Sequence, residues 1–113
     1  MAAASSVDMM RTLIGFPTVS RDSNLELIHF VRDYLKPYDA DIRLTFDDTR
    51  AKANLFATLG PNRNSGEGGI VLSGHTDVVP VAAQAWDADP FKLVERDGRL
   101  FGSPSHGKNA ELP

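Results

Sequence analysis

The segment that most constrains the fold of this chain is the apolar run Ile70–Leu72, which follows a glycine-rich loop and precedes Gly74. The run has no polar alternation, a pattern that predicts a strand covered on both faces. Such a strand requires further strands beside it and helices above and below it. We therefore expect an α/β fold, with a mixed sheet and flanking helices, in which this run is the central strand.

The sequence before this run predicts two amphipathic helices. The first spans residues 6–15, where apolar side chains recur at helical spacing. The second follows Ser23, whose hydroxyl is expected to form a capping box with Glu26, and it ends at Pro37.

Three further segments predict strands. The segment "DIRLTF" alternates, with Ile42, Leu44 and Phe46 on one face, and is typical of a half-buried strand. The segment "NLFATL" is a second candidate. The segment "KLVERDGRLF" predicts a hairpin, because Asp97 and Gly98 can both take the positive φ that a tight primed turn requires.

Composition narrows the class of protein. A net charge of −3 over 113 residues argues against nucleic acid or an anionic membrane as the main partner. The absence of cysteine excludes disulfides and thiolate metal sites, so a metal would be held by His, Asp or Glu. The start of the chain does not read as a signal peptide, and no apolar run has the length of a membrane span. We therefore expect a cytoplasmic protein.

The candidate site is His75 with Asp77, just past the carboxyl end of the predicted central strand. Ligands bind at this edge in open α/β sheets, and an extended chain places residues two apart on one face. The His75 imidazole is a suitable zinc or cobalt ligand, and the Asp77 carboxylate could hold the ring by accepting its other N–H. The alternative is a turn histidine whose neighbour caps a backbone N–H, and the spacing alone does not decide between them.

The other histidines are weaker candidates. His29 lies off the apolar stripe of the second predicted helix and is expected to be solvated, and His106 lies in an aperiodic tail. The sequence has no glycine-rich phosphate loop and no nucleophile elbow around Ser73. His75 and Asp77 are therefore the residues to which chemistry is assigned.

Several motifs together carry a resemblance to a known family. The segments "LSGHTDVVPV", "WDADPF" and "DGRLFG" resemble the opening part of the acetylornithine deacetylase branch of a family of metal-dependent aminoacylases and exopeptidases. That family also includes succinyl-diaminopimelate desuccinylase. The segments "LIGFPTVSRDSNLELI" and "KANLFATLGP" are similar to the deacetylase branch in particular. The match runs from near the start of the chain to Gly102.

The resemblance implies a fold, a reaction and site residues. Residues 1–102 would be the N-terminal part of a zinc-exopeptidase-like catalytic domain. The implied site holds two metal ions, Zn²⁺ or Co²⁺, which activate a water to attack an N-acyl amide. His75 matches the family's first metal-binding histidine, and Asp77 matches the catalytic aspartate that supports it. The implied reaction converts N-acetyl-L-ornithine to L-ornithine and acetate in arginine biosynthesis.

The family pattern breaks after Gly102. The family continues with Arg-Gly-x-x-Asp-Met-Lys-Gly, whose Asp bridges the two metals, whereas Gly107 stands at that position here. The family's Glu–Glu pair, which supplies the general base and a ligand, has no counterpart. We therefore expect residues 1–102 to be an incomplete catalytic domain and residues 103–113 to be a divergent, disordered tail. His75 would supply one of the three protein ligands that a catalytic zinc uses.

Two hypotheses of different classes follow. The first is a catalytically incomplete part of a deacetylase that acts on a small N-acyl amino acid. By the resemblance, members of the family are often homodimers, and the domain that forms the dimer is expected to be absent from these 113 residues. The alternative is a non-enzymatic truncated or frame-shifted product, or a fragment of a related deacylase such as succinyl-diaminopimelate desuccinylase. In both cases Ile70–Leu72 would lack neighbours, which predicts poor solubility.

Overall fold

The computed structural model of the chain describes residues 5–61, 63, 65–80, 89–102 and 111–112. Within these residues it contains two α-helices and five short strands, so the expected mixture of α and β structure is confirmed. The chain divides into two compact units. The terminal unit comprises Met1–Asp22 and Asp77–Pro113, and the middle unit comprises Ser23–Thr76.

The first predicted helix is confirmed as α1, Ser6–Ile14, in the terminal unit. Its N-cap is Ser5, whose Oγ accepts a hydrogen bond from the Asp8 backbone N–H at 3.1 Å. The Asp8 carboxylate forms an ion pair with Arg11 at 3.1 Å. An acidic residue in the first turn and a basic one in the last turn both complement the helix dipole.

The second predicted helix is confirmed as α2, Leu25–Leu35, but its start differs from the prediction. The N-cap is Asn24, and Ser23 Oγ accepts from the Leu25 N–H at 3.2 Å. The predicted capping box is wrong, because it requires the serine at the N-cap and Ser23 lies one residue before it. A 3-10 turn, Lys36–Tyr38, follows the helix.

None of the helices in the described part of the chain combines the length and the apolar character needed to cross a bilayer.

The middle unit contains one antiparallel pair of strands. Strand β1 is Asp41–Phe46 and strand β2 is Ala53–Thr58, with Leu44 opposite Leu55. Along β1 the exposed residues Arg43 and Thr45 alternate with partly buried apolar ones, as the sequence pattern predicts. The pair therefore has one face directed towards the interior of the unit.

The side chain of Asn24 attaches the start of α2 to the start of β2. Its Nδ2 donates to the Ala53 carbonyl at 2.9 Å, and its Oδ1 accepts from the Ala53 N–H at 2.9 Å. Ala53 is only 3% exposed, so both of its backbone polar groups would lose solvent without this contact. The Asn24 amide thus takes the place of a neighbouring strand at this point.

The terminal unit contains a three-stranded antiparallel sheet. Strand β3 is Val94–Arg96 and strand β4 is Arg99–Phe101, joined by Asp97 and Gly98 with φ values of 54° and 73°. Both φ values are positive, so the predicted hairpin turn is confirmed. Strand β5, Glu111–Leu112, pairs with β4. The rest of the predicted tail, residues 103–110 and 113, lies outside the described residues.

The run Ile70–Leu72 is not a strand in this structure, and its prediction as the buried central strand is wrong. Ile70, Val71 and Leu72 are 91%, 77% and 93% exposed. A strand forms where a neighbour can accept and donate the ladder hydrogen bonds, and local β propensity does not replace that neighbour. Neither sheet includes the run, and both are antiparallel. The predicted mixed sheet is therefore replaced, in the described residues, by two separate small sheets.

Replacing Asn24 tests the link between α2 and β2. We expect Asn24→Ala to lower the free energy of unfolding by about 1–3 kcal/mol, because it leaves a buried N–H and C=O without partners. The Asn24 side chain makes no helix-cap hydrogen bond, so this loss reports the contact with Ala53. Urea unfolding followed by circular dichroism measures the change. Asn24→Asp keeps the acceptor but places a carboxylate oxygen against the Ala53 carbonyl, so it should also lose stability; equal stability of all three proteins would contradict this interpretation.

The carboxylate of Asp47 organises the connection between β1 and β2. It accepts from the Thr49 hydroxyl at 2.7 Å and from the Lys52 N–H at 3.1 Å. The Thr49 hydrogen bond and then the Lys52 hydrogen bond lower the pKa of Asp47, because both stabilise the ionised form. The stabilisation from this carboxylate is therefore present at neutral pH and is lost as the pH falls through the lowered pKa.

Removing the Thr49 hydroxyl should raise the pKa of Asp47 towards its ordinary range. We expect this in Thr49→Ala and not in Thr49→Ser, which keeps a hydroxyl that can donate. A pH titration of the Asp47 carboxyl carbon by NMR measures the change. An unchanged pKa in Thr49→Ala would show that the backbone donors suffice to hold the carboxylate ionised.

Candidate metal site

The two residues predicted to form the site belong to different compact units. His75 lies near the end of the middle unit, and Asp77 begins the second stretch of the terminal unit. Both side chains are exposed to solvent. The predicted location of His75 beyond a covered central strand is wrong, because Ile70–Leu72 does not form that strand. The role of His75 as a ligand does not depend on that strand and stays a prediction.

The residue after Asp77, Val78, is held by two backbone hydrogen bonds. The Val78 N–H donates to the Thr18 carbonyl at 3.0 Å, and the Ser20 N–H donates to the Val78 carbonyl at 2.8 Å. These two bonds form an isolated parallel bridge between Val19 and Val78. We call this pairing the 19/78 bridge.

The 19/78 bridge determines which side chains near the site face the interior. Val19 and Val78 are each 7% exposed, whereas Val79 is 45% exposed and Asp77 lies at the surface. Successive side chains of an extended chain point to opposite sides, so burial of Val78 directs its neighbours outward. The Asp77 carboxylate is thus directed to solvent by the burial of the next residue.

The donor types at this site suit a metal ion, but their number is small. An imidazole nitrogen with a supporting carboxylate oxygen fits zinc or cobalt. In the described part of the chain, no group of three or more His, Cys, Asp or Glu side chains could hold a metal ion. His29 lies on α2, where it is partly buried, and His106 lies outside the described residues. The described residues thus provide one predicted ligand with its predicted support, which is fewer than the three protein ligands of a catalytic zinc.

Two neighbouring groups on α2, Asp33 and Tyr34, have a displaced pKa. Hydrogen bonds from Arg32 and then Lys36 lower the pKa of Asp33. The hydrogen bond with Tyr38 raises the pKa of Tyr34. These groups lie on α2 and the 3-10 turn after it.

The segment Thr18–Ser20 lies next to Val78 in the structure, a contact that its sequence does not predict. Gly15 and Pro17 precede it, and this composition is typical of a connecting loop. The available signal was the adjacent pair of β-branched residues, Thr18 and Val19, which favours extended structure. Thr18 is 5% exposed and Val19 is 7% exposed, so this part of the loop is built into the core of the terminal unit.

Comparisons with known proteins bear on the identity of the chain. No protein-family model matches it. Proteins named acetylornithine deacetylase from Proteus mirabilis and Photorhabdus laumondii are each 39% identical to it over 103 residues, covering 85% of this chain and 26% of theirs. The acetylornithine deacetylase from Yersinia pestis is 36% identical over 104 residues, covering 85% of this chain and 27% of its own.

The chain spans about a quarter of the length of these curated relatives. A continuous alignment over 85% of the 113 residues necessarily includes the positions of His75 and Asp77. Over that stretch the predicted resemblance is confirmed: this chain is similar to the acetylornithine deacetylases.

Proposed function

We propose that this chain is part of a metal-dependent deacetylase that hydrolyses N-acetyl-L-ornithine to L-ornithine and acetate. The observation that supports this most is the 39% identity to proteins named acetylornithine deacetylase over 85% of the chain. The reaction adds water across the amide C–N bond and gives a carboxylate and a free amine. The substrate is then a small N-acyl amino acid, and the reaction belongs to arginine biosynthesis.

In this proposal His75 and Asp77 have different roles. His75 is a ligand of Zn²⁺ or Co²⁺ through one ring nitrogen. Asp77 accepts the hydrogen bond from the other ring nitrogen, which sets the tautomer and the orientation of the imidazole. When bound, the metal would supply an activated water near neutral pH. The exposure of both side chains leaves them accessible to a metal and to a small substrate.

We further propose that the 113 residues bind metal without hydrolysing the substrate. By the resemblance, Gly107 stands where the bridging aspartate is expected, and glycine has no side-chain donor. A catalytic zinc uses three protein ligands, and a two-metal site needs a bridging carboxylate besides. One imidazole with one supporting carboxylate gives binding that is weak compared with that of a complete site.

Zinc titration of the purified chain tests the ligand assignment. We expect zinc to shift the ring nitrogen resonances of His75 in NMR spectra, and His75→Ala to abolish the main binding event. His29→Ala is the matched control and should leave the binding unchanged. Asp77→Asn should weaken zinc binding about 10- to 100-fold, the range found when a carboxylate that supports a metal-bound histidine is removed.

The same protein tests the reaction. Cobalt- or zinc-loaded chain is incubated with N-acetyl-L-ornithine, and ornithine is measured; we expect none above the level of a no-protein control. Turnover that is lost in His75→Ala would contradict the proposed incompleteness. Turnover of N-succinyl-diaminopimelate alone would show instead that the related deacylase is the correct assignment. Zinc binding that does not depend on His75 would overturn the proposed site.

The exposed run Ile70–Leu72 gives a prediction about the chain on its own. In the proposed catalytic domain this run would be covered, whereas here its side chains are 77–93% exposed. We expect concentration-dependent self-association, because contiguous exposed apolar residues in an extended segment favour it. Val71→Lys should reduce this association in sedimentation velocity experiments. Val7→Lys, on α1 at a residue that is 36% exposed, is the control and should not. A wild-type chain that stays monomeric would contradict the prediction.

A further inference from the structure

We infer that the chain forms a symmetric dimer in which Ile70–Leu72 of each copy adds a strand to the open edge of β1 in the other copy. The interaction surface is the outer edge of β1, and its occupant is a second copy of this chain. Both the run and β1 belong to the middle unit. The inference is independent of the proposed function, because it uses no metal ligand and no substrate.

The hydrogen bonding of the β1–β2 pair shows which backbone groups of β1 face away from β2. The Asp47 N–H donates to the Lys52 carbonyl at 3.0 Å, so Asp47 faces the partner strand. Residues of an antiparallel pair alternate between exchanging hydrogen bonds with the partner and facing away from it. The N–H and C=O groups of Ile42, Leu44 and Phe46 therefore lie on the outer edge of β1.

The side chain of Asn24 supports this assignment. Ala53 lies opposite Phe46 and uses both of its backbone polar groups on the Asn24 amide, at 2.9 Å each, so these groups point away from β1. Asn24 thus covers this end of the β2 edge. Among the described residues, Ile42, Leu44 and Phe46 form no hydrogen bond beyond the β1–β2 pair, so β1 keeps an open edge.

The run Ile70–Leu72 has properties that complement this edge. Its three side chains are 77–93% exposed, and residues 68–74 carry no charge. Within the part of the chain that the structure describes, the backbone of the run forms no hydrogen bond. A strand added to a sheet edge gains affinity from main-chain hydrogen bonds and specificity from alternate side chains. The run and the edge of β1 therefore supply the donors and acceptors that the other lacks.

Burial of apolar side chains selects the register of this pairing. On β1, Ile42 and Leu44 are partly buried, whereas Arg43 is exposed. In an extended run the first and last residues share one face, and Val71 lies on the other. Placing Val71 opposite Arg43 puts the other two side chains of the run beside the partly buried face. A slip of one residue would put only Val71 there, so the first register is favoured.

Two copies satisfy both surfaces at once. Each copy carries one run and one open edge, so a reciprocal exchange closes with two-fold symmetry. The connection from β2 to the run is held near the start of β1 by an ion pair between Arg63 and Asp39, at 3.1 Å. Three glycines follow this ion pair and give the backbone before the run wide conformational freedom. The run is thereby tethered beside the β1 edge and free to extend to a second molecule.

Disulfide formation between single-cysteine variants tests the pairing, because the chain has no cysteine of its own. Arg43→Cys and Val71→Cys replace exposed residues that are opposite each other in the expected register. Cross-strand neighbours have Cβ atoms about 4.5 Å apart, which suits a disulfide. On oxidation, an equimolar mixture of the two variants should therefore give a disulfide between residues 43 and 71, identified by mass spectrometry of the linked peptides.

Ile70→Cys mixed with Arg43→Cys is the matched control. Ile70 is even more exposed than Val71, but in the expected register its side chain lies on the opposite face from Arg43. We expect this mixture to give much less of the mixed disulfide. Equal yields in the two mixtures would show random collision of an exposed run and would overturn the inference.

A variant that carries both Arg43→Cys and Val71→Cys distinguishes exchange between copies from pairing within one copy. Exchange predicts a covalent dimer with two disulfides, which migrates at twice the mass of the chain in non-reducing electrophoresis. A monomer with an internal disulfide would mean that the run pairs with its own β1, which would overturn the inference.

Sedimentation velocity of the wild-type chain provides a test without any substitution. With rising concentration we expect a shift from the mass of one chain to the mass of two, and no further growth, because reciprocal exchange leaves no edge of β1 open. A chain that stays monomeric, or that grows beyond two copies, would overturn the symmetric dimer. Neither result bears on the metal assignment, since Arg43, Ile70 and Val71 are not predicted ligands.

Discussion

The 19/78 bridge is the interaction on which the terminal unit depends. This unit is assembled from two stretches of chain, Met1–Asp22 and Asp77–Pro113, that are separated by the whole middle unit. Bringing such distant stretches together costs loop-closure entropy, which rises slowly with the length of the intervening chain. Two backbone hydrogen bonds and the burial of Val19 and Val78 offset this cost. The bridge lies directly after Asp77, so the contact that closes the unit also fixes the backbone next to that residue.

In the middle unit, a side chain provides the hydrogen bonds that backbone groups would otherwise lack. Its two strands leave the start of β2 in need of partners, and the Asn24 amide provides both a donor and an acceptor to Ala53 at 2.9 Å. An amide can do this because it carries the same pair of groups as a peptide bond. In the middle unit a side chain therefore takes the place of a strand neighbour beside Ala53. In the terminal unit an isolated backbone bridge joins two segments that lie outside the three-stranded sheet.

Most features that depend on residues close together in sequence were predicted correctly, and features that depend on distant residues were not. The alternation in "DIRLTF", the positive φ values at Asp97 and Gly98, and the spacing of α1 are local properties, and all were predicted correctly. Ile70–Leu72 was predicted wrongly because a strand exists only with its neighbours, which a short apolar run does not specify. The 19/78 bridge and the Asn24–Ala53 contact were missed because each joins residues far apart in sequence.

The candidate site depends on local sequence and on contacts between residues far apart in sequence. A His and an Asp two residues apart are a weak signal, and only the joint presence of several motifs made a metal-ligand role the preferred interpretation. The spacing places two side chains on one face only where the backbone between them is extended. The hydrogen bonds from the segment Thr18–Ser20 hold the backbone at Val78, which lies after the pair and not between its members. The surroundings of Asp77 thus depend on a tertiary contact, although the chemistry of the residue is local.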